Sequence, residues 1–279
     1  GQCIMIPHSL SISPTAKVQD GISRMAIREA LQRWVNRTAH LNYGREHVLA
    51  WVREEVRSAG RPVIRVLDLG AGNGEDLRNI RAGCPGANFS LHGVECHPEN
   101  AGAARASGIA IHEMDIERDP IPAPDGCYDI VIANQIVEHT KEIFWVFSEI
   151  SRVLRPGGLC VVGVPNLAAL HNRFLLLFGF QPASIGVLSA HVRGFTRPGF
   201  REFATCDGYF RLEAVRGANV YPLPPSRARP LARAFPGVSV CLFFRLRRTP
   251  KEGTFLGVLD TRFFETPYFR GAAPSPPRP

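Results

Sequence analysis

The chain has 279 residues, of which 45% are hydrophobic and 21% are charged, the proportions of an ordinary globular protein with a substantial core. Its net charge of +8 comes from scattered arginines and is a mild indication of a polyanionic partner or an anionic membrane surface. The sequence shows no signal-like start, no apolar stretch long enough to span a membrane and no C-x-x-C pair. We therefore expect a soluble cytoplasmic protein with free thiols, rather than a secreted, membrane-spanning or disulfide-bonded one.

The first sixty residues predict two helices. Apolar residues recur at helical spacing from about Ile22 to Ser58, and Asn42-Tyr43-Gly44 interrupts the run. A strand and a glycine-rich loop follow, so this helical pair precedes the main domain.

The first strand runs directly into that loop. Val63, Ile64, Val66 and Leu67 form a near-continuous apolar run typical of a buried parallel strand, and Asp68 is followed by three glycines at alternate positions. This D-x-G-x-G-x-G pattern resembles motif I of the class I S-adenosylmethionine (SAM) methyltransferases, whose loop cradles the methionine part of the cofactor. The resemblance implies that SAM is bound by Asp68, Gly70, Ala71, Gly72 and Gly74. A dinucleotide-binding loop has a different glycine spacing, which leaves an NAD oxidoreductase as a lesser alternative.

The next two strands end in carboxylates. An apolar strand ends at Glu95 and a third ends at Asp115, and ligands in open α/β sheets bind at such carboxyl ends. In the resembling family, the first carboxylate binds the ribose hydroxyls and the second recognises the adenine amino group. The resemblance therefore implies cofactor contacts from Glu95 and Asp115, with Cys96 and Ile116 beside the adenine.

A polar cluster follows the fourth predicted strand, residues 128–133. Asn134 is a candidate cofactor contact, and Gln135 and Glu138 share one face of the next turn, with His139 adjacent. Methyl transfer is an in-line displacement, so the protein must position the acceptor and, where needed, remove its proton. We interpret His139 as the general base, oriented by Glu138, because an unperturbed histidine titrates near neutral pH.

The same cluster has a second resemblance. Ubiquinone-pathway O-methyltransferases and small-RNA 2′-O-methyltransferases carry a metal-binding E-x-x-E-H cluster here, and the RNA enzymes add a later histidine. Glu138 and His139 match, and His191 stands at the later position, but Gln135 replaces the first carboxylate that a hard cation favours. Three interpretations stay open: base catalysis by His139, altered metal binding by these three residues, or a structural role in lining the pocket.

The second half of the sequence completes the sheet. A helix predicted over 140–154 ends at Arg155-Pro-Gly-Gly158, which resembles the family's post-motif, and a fifth strand follows over 159–164. Helices are also expected over 167–180 and 195–205, strands over 209–214 and 239–246, and a proline-rich irregular segment over 221–236.

The resemblance implies a three-layer α/β, Rossmann-like fold, with a seven-stranded, mostly parallel sheet whose last strand is antiparallel. We predict an N-terminal helical lid or cap over 1–60, or a structural layer in its place. The methyltransferase domain follows over 61–250, with a lid insertion over 166–200. The C-terminal extension, 251–279, ends in a disordered tail.

The resulting hypothesis is SAM-dependent O-methylation of a small-molecule, sugar or lipid-linked hydroxyl, with Gln135, Asn166 and His191 near the substrate. One alternative is an RNA 2′-O-methyltransferase, which the charge favours and the lack of an aromatic-interleaved basic stripe disfavours. Another is a catalytically silent SAM-binding regulator. The apolar segment 167–180 is too short to cross a bilayer and is interpreted as a lid, a floor for a greasy substrate or an interfacial anchor.

Overall fold

The structure is a computed structural model that describes residues 44–262 and 264–271. The first predicted helix of the N-terminal pair and the predicted disordered tail beyond Gly271 lie outside these residues. Within the described ranges, no helix has both the length and the apolar character needed to cross a bilayer.

Helices and strands alternate along most of the chain. The helices are α1 Arg45–Ala59, α2 Glu75–Gly83, α3 Pro98–Ala106, α4 Ile143–Val153, α5 Leu170–Leu177, α6 Arg197–Thr205, α7 Pro225–Ala234 and α8 Val258–Thr261. The strands are β1 Ile64–Leu69, β2 Phe89–Glu95, β3 Ala110–Glu113, β4 Tyr128–Asn134, β5 Leu154–Pro165, β6 Phe210–Ala218 and β7 Cys241–Arg248.

The strands form one sheet in the order β3-β2-β1-β4-β5-β7-β6. Strands β1 to β5 pair in parallel, and β7 lies antiparallel to both β5 and β6. The predicted seven-stranded, mostly parallel sheet with an antiparallel last strand is therefore confirmed. The strand order reverses between β1 and β4, and a ligand crevice opens at the carboxyl ends of the strands at such a switch point.

The sheet is covered by apolar layers on both faces. Along β4, Val131 and Ala133 point into one layer, while Ile130 and Ile132 point into the other. One layer includes helices α4 and α6, and the other includes α1 and α2. Burial on both faces is why the central strands are near-continuous apolar runs in the sequence.

The elements differ most clearly from the sequence predictions at three places. Helix α4 begins at Ile143 rather than at residue 140, because Val137–His139 forms a separate 3₁₀ turn that Thr140 closes with a hydroxyl bond to the Val137 carbonyl, 2.9 Å long. Strand β5 begins at Leu154, so the Arg-Pro-Gly-Gly run is part of the strand. The segment predicted to be irregular contains α7, whose Ala228 and Ala232 are buried.

The C-terminal extension packs on the main domain. Phe255 is fully buried, and Phe264 and Tyr268 lie edge-on to Phe144 of α4. The backbone N–H of Phe269 donates to the carboxylate ahead of that helix, at 2.8 Å. The aromatic residues of the extension therefore cover the apolar outer face of α4.

Candidate functional site

The glycine loop has the backbone geometry that the sequence pattern predicts. Gly70, Gly72 and Gly74 have φ angles of 66°, 52° and 81°, a left-handed region that favours glycine. A Cβ at Gly70 would collide with the Ile136 side chain at 2.7 Å, whereas one at Gly72 would meet nothing within 4 Å. The backbone at Gly72 therefore borders open space.

Glu95 connects this loop to the neighbouring strand. Its buried carboxylate accepts hydrogen bonds from the N–H groups of Gly72 and His97, both 2.8 Å long. The Ala71 N–H also donates to the Val94 carbonyl at 2.9 Å. Each carboxylate oxygen can accept a further hydrogen bond, so Glu95 can hold the loop and still accept from two ligand hydroxyls.

A buried acidic cluster lies at the base of the loop. Burial and the neighbouring Asp76 carboxyl raise the pKa of Asp68 well above its usual value. Burial also raises the pKa of Asp76. The 2.9 Å hydrogen bond from the Asn134 amide and the ion pair between Asp76 and Arg45 act in the opposite direction and lower this pKa. Asp76, Glu95 and one arginine, Arg45, all act electrostatically on Asp68, and this excess of acidic groups favours a cationic ligand.

Sequence reasoning missed Asp76 and Arg45. The available signal for Asp76 was an acid in the first turn of the helix that follows the loop. Arg45 lies on α1, outside the recognised motif, and only the folded chain brings it to Asp76, with 3.1 Å between the charged atoms. The amide of Asn134 donates to Asp76, and the predicted contact of Asn134 with a cofactor stays a prediction.

The predicted adenine contacts lie at the ends of β2 and β3. The Asp115 side chain is about half exposed, and one of its oxygens accepts from the Glu117 N–H at 2.9 Å. Ile116 packs against the core. Cys96 is exposed beside Glu95, and desolvation together with that negative charge raises the pKa of its thiol. A raised thiol pKa disfavours metal binding by Cys96 with its neighbours, because metals take the thiolate.

A second cluster follows β4, where Glu138, His139 and His191 come together. One potential ligand atom from each of the three lies within 4.8 Å of the others, and the two imidazole rings are 4.6 Å apart. The Glu138 carboxyl is 1% exposed, and neither oxygen has a hydrogen-bond partner among the described residues. Burial raises the pKa of Glu138 to about 7.

Backbone carbonyls orient both histidines. The Nδ1–H of His139 donates to the Ala190 carbonyl at 3.2 Å, and that of His191 donates to the Ser184 carbonyl at 2.6 Å. A carbonyl only accepts hydrogen bonds, so each Nε2 atom carries a free lone pair. The orienting partner of His139 is thus Ala190, in place of the Glu138 expected from sequence. Burial lowers the pKa of His139, which keeps its ring neutral and able to accept a proton.

Tertiary contacts hold this cluster in place. Gln135 has a positive φ of 57°, and its N–H donates to the Gly163 carbonyl at 2.8 Å, which turns the chain away from the sheet. The Glu138 carbonyl accepts from the N–H groups of Val192 and Arg193, at 2.9 and 3.2 Å. These two bonds bring the segment containing His191 onto the turn that carries Glu138.

The other two predicted substrate contacts, Asn166 and Gln135, differ in whether their side chains already have hydrogen-bond partners. Asn166 is buried, and its amide nitrogen donates to the carbonyls of Gly237 and Ser239 at 3.0 and 2.8 Å, while its oxygen accepts from the Ala168 N–H at 3.0 Å. Its side chain thus holds the segment after β5 to the segment before β7. The Gln135 amide nitrogen is buried without a hydrogen-bond partner in the described chain. Both substrate contacts remain predictions.

The two clusters of side chains suit two kinds of ligand, an organic cofactor at the first and a metal ion at the second. The open backbone at Gly72, beside a carboxylate and an acidic cluster, fits a cofactor that has both hydroxyl groups and positive charge. The Glu138 carboxyl with two imidazole nitrogens fits a divalent ion that accepts nitrogen ligands, with a coordination position left open. It is a poorer match to Mg²⁺, which favours oxygen.

Comparisons with known proteins show what the chain is similar to. Residues 67–162 match a family described as a methyltransferase domain. The chain is 29% identical over 202 residues to the ubiquinone biosynthesis O-methyltransferase of Brucella anthropi, covering 65% of this chain and 77% of that protein. Its counterpart from Rhizobium rhizogenes is 28% identical over 131 residues, covering 45% of this chain and 51% of that protein. The chain thus spans about half the length of several curated relatives it matches.

Solved structures share the fold. A SAM-dependent methyltransferase from Thermotoga maritima, described as a possible histamine N-methyltransferase, superposes with a TM-score of 0.53 at 16% identity, covering 80% of this chain and 97% of that one. The [4+2]-cyclase SpnF superposes with a TM-score of 0.51 at 16% identity, covering 73% and 81%. At such low identity these structures support the architecture alone.

Proposed function

The chain contains a class I SAM-dependent methyltransferase domain, and from that premise we propose that the protein transfers a methyl group from SAM to a hydroxyl oxygen. The observation that carries the proposal is the proximity of two clusters along β4. Asn134, at the end of that strand, donates to the acidic cluster under the glycine loop, and the Glu138–His139 turn follows directly.

The residues of the first cluster bind and orient the cofactor. The Gly72 backbone leaves the space, Glu95 accepts hydrogen bonds from the ribose hydroxyls, and Asp68 and Asp76 provide negative potential toward a cationic ligand. SAM supplies a methyl group on a positively charged sulfur that is already a good leaving group. The protein therefore needs little covalent chemistry of its own, and positioning is its main contribution.

The residues of the second cluster activate the acceptor. A hydroxyl is a weak nucleophile until its proton is removed, and the His139 Nε2 atom, neutral and unpaired, can accept that proton. The Glu138 carboxyl has a pKa of about 7. When this carboxyl is ionised, its negative charge stabilises the imidazolium that His139 forms. This need for a base supports oxygen as the acceptor atom, and the name of the curated relatives, O-methyltransferase, supports it too.

We propose a small molecule, a sugar or a lipid-linked intermediate as the acceptor. The experiment is transfer of a radiolabelled methyl group from SAM to fractionated pools of small metabolites, glycans and lipids. Alkali-stable label on a hydroxyl, lost in His139→Ala, is the expected result. Label on nitrogen, or label that His139→Ala leaves unchanged, would contradict the assignment of the base and of the acceptor atom.

A second candidate is metal-assisted 2′-O-methylation of RNA. The juxtaposition of Glu138, His139 and His191 favours it, together with the net charge of +8. In that case the three side chains would hold a divalent ion that polarises the acceptor hydroxyl. Metal analysis of the purified protein, with transfer to RNA abolished by a chelator and restored by Mn²⁺ or Zn²⁺, would select this candidate.

A third candidate is a SAM-binding protein without transfer activity. It would bind SAM at the glycine loop and transfer nothing to any acceptor pool, with or without divalent ions. The free lone pair on His139 favours catalysis over this reading, because a purely regulatory site has no need of a poised base.

A further inference from the structure

One surface of the molecule exposes an unusual number of large apolar side chains. It consists of α5, the segment after it up to Val192, and α7, and we name it the α5–α7 surface. The side chains of Phe174, Leu177, Phe178 and Leu188 are 56%, 75%, 71% and 100% exposed. Single exposed apolar residues are ordinary, whereas a contiguous group of them marks a binding surface.

Helix α5 buries a polar residue and exposes large apolar ones. Its buried residue is Asn172, whose amide nitrogen donates to the Asn166 carbonyl and whose oxygen accepts from the Ala183 N–H, both at 3.0 Å. Phe174, Leu177 and Phe178 stand at i, i+3 and i+4, so they form one outward stripe. The hydrogen bonds of Asn172 fix the rotation of the helix, and hence keep the apolar stripe directed outward.

The chain segments that form this surface carry basic and no acidic residues. The chain has no Asp or Glu over 150–201 and none over 214–251. Helix α7 exposes Arg227, Arg229 and Arg233, and none of these guanidinium groups has an ion-pair partner in the described part of the chain. Arg229 and Arg233 are four residues apart, a spacing at which like charges repel, so an external anion would relieve the repulsion.

The apolar and basic parts lie side by side. Leu170 of α5 packs against a small buried cluster of Val220, Ala228 and Ala232, and the two alanines belong to α7. Arg173 of α5 also donates to the Gly237 carbonyl at 3.2 Å, just after α7. An apolar stripe flanked by unpaired arginines is the pattern of a segment that lies in the plane of a membrane interface.

We propose that the α5–α7 surface docks on a bilayer that contains anionic phospholipid. The apolar side chains of α5 enter the boundary between headgroups and acyl chains, and the arginines of α7 bind lipid phosphates. A second copy of the chain fits less well, because a two-fold interface would bring the arginines of both copies together. A nucleic acid would leave the apolar stripe in water.

The test is sedimentation of the full chain with vesicles of phosphatidylcholine alone and of phosphatidylcholine with phosphatidylglycerol. Binding to the anionic vesicles only, weakened by salt, is expected. The double variant Leu177→Ser/Phe178→Ser should lower the partition coefficient about a hundredfold, because both side chains leave water on insertion. Arg229→Gln/Arg233→Gln should lower it about tenfold to thirtyfold.

Matched controls sit on another part of the molecule. Val63→Ser and Arg57→Gln replace an exposed apolar residue and an exposed arginine near the amino end of β1, and both should leave vesicle binding unchanged. Absence of binding to anionic vesicles, or binding that the Leu177/Phe178 variant retains, overturns the proposal. So does a dimer in ultracentrifugation that this variant dissociates, or binding to RNA without binding to vesicles. The readout does not depend on methyl transfer, so the proposed function can fail independently.

Discussion

Glu138 is a carboxyl group that the fold buries without a hydrogen-bond partner in the described chain. A native protein keeps such a group only at a cost, since burial disfavours its charged form. Because of this cost, the pKa of Glu138 is raised to about 7, which lies in the pH range where enzymes operate.

This cost predicts a specific dependence of stability on pH. The folded-state pKa of Glu138 lies above its usual value of 4.5, so the folded state binds more protons than the unfolded state between pH 4.5 and about 7. Ionisation of Glu138 therefore lowers the free energy of unfolding as pH rises through this window, by up to about 3 kcal/mol. Denaturant unfolding of the wild type and of Glu138→Gln at both ends of the window measures it.

The difference in stability between the two proteins should change by most of that amount across the window, in favour of Glu138→Gln at the higher pH. A difference that stays constant from one end to the other would mean that Glu138 titrates normally, and its proposed role in catalysis would lose its physical basis.

His139 is the residue on which the proposed proton transfer depends. We expect His139→Ala to reduce turnover by about 10²- to 10⁴-fold, the usual contribution of a general base, with little change in the affinity for S-adenosylhomocysteine. His112→Ala is the control, because this half-buried histidine lies on β3, outside the cluster. Equal turnover in His139→Ala and in the control would leave His139 with a structural role.

The glycine loop is the element in which conformation and ligand binding can be tested separately. Gly72 and Gly60 have φ angles of 52° and 56°, and a Cβ at either would meet nothing within 4 Å. Alanine at each position should therefore cost a similar 1–2 kcal/mol, about the strain of a left-handed residue. Only Gly72→Ala places a methyl group where the ligand is expected.

Denaturation and cofactor titration of both variants separate the two effects. We expect comparable losses of stability, with a loss of SAM affinity of about tenfold or more in Gly72→Ala alone. The same affinity in both variants would show that the loop does not contact the ligand.

Some helices and strands could be predicted from the sequence, and others could not. The central strands were predictable because burial on both faces favours a near-continuous apolar run. Helix α7 was not predictable, because Pro225 and Pro230 are unfavourable in a helix. Pro225 stands in the first turn, where no backbone N–H is needed. The packing of Ala228 and Ala232 offsets the cost of Pro230.

Parts of the site became visible only in the fold. Glu138 and His139 were identifiable as neighbours with suitable chemistry, and His191 by resemblance alone. The contact between the two rings depends on backbone bonds to the Glu138 carbonyl from a segment more than fifty residues away, which no local pattern reveals. The Arg45–Asp76 pair depends likewise on the packing of α1 beside α2.

At the scale of the molecule, the acidic cluster at the switch point predicts how cofactor affinity varies with pH. The raised pKa values of Asp68 and Asp76 mean that both sites hold protons to a higher pH than usual, and only their ionised forms attract a cation. SAM carries one positive charge more than S-adenosylhomocysteine. Over the pH range in which these two carboxyls ionise, the affinity for SAM should therefore rise more steeply with pH than the affinity for the product.

Titration of both compounds across this range, with Asp76→Asn as the comparison, measures the effect. The variant should flatten the SAM curve toward that of S-adenosylhomocysteine. Parallel curves for the two compounds in the wild type would place the positive sulfur away from these carboxyls.

The proposed activity requires above all that the crevice at the switch point binds SAM. Isothermal titration calorimetry of SAM into the folded wild-type protein tests this most directly. We predict one saturable site, for which S-adenosylhomocysteine competes and NADH does not. The absence of any binding heat at millimolar SAM, or displacement of the ligand by NADH, would contradict the assignment of this site and the proposed reaction with it.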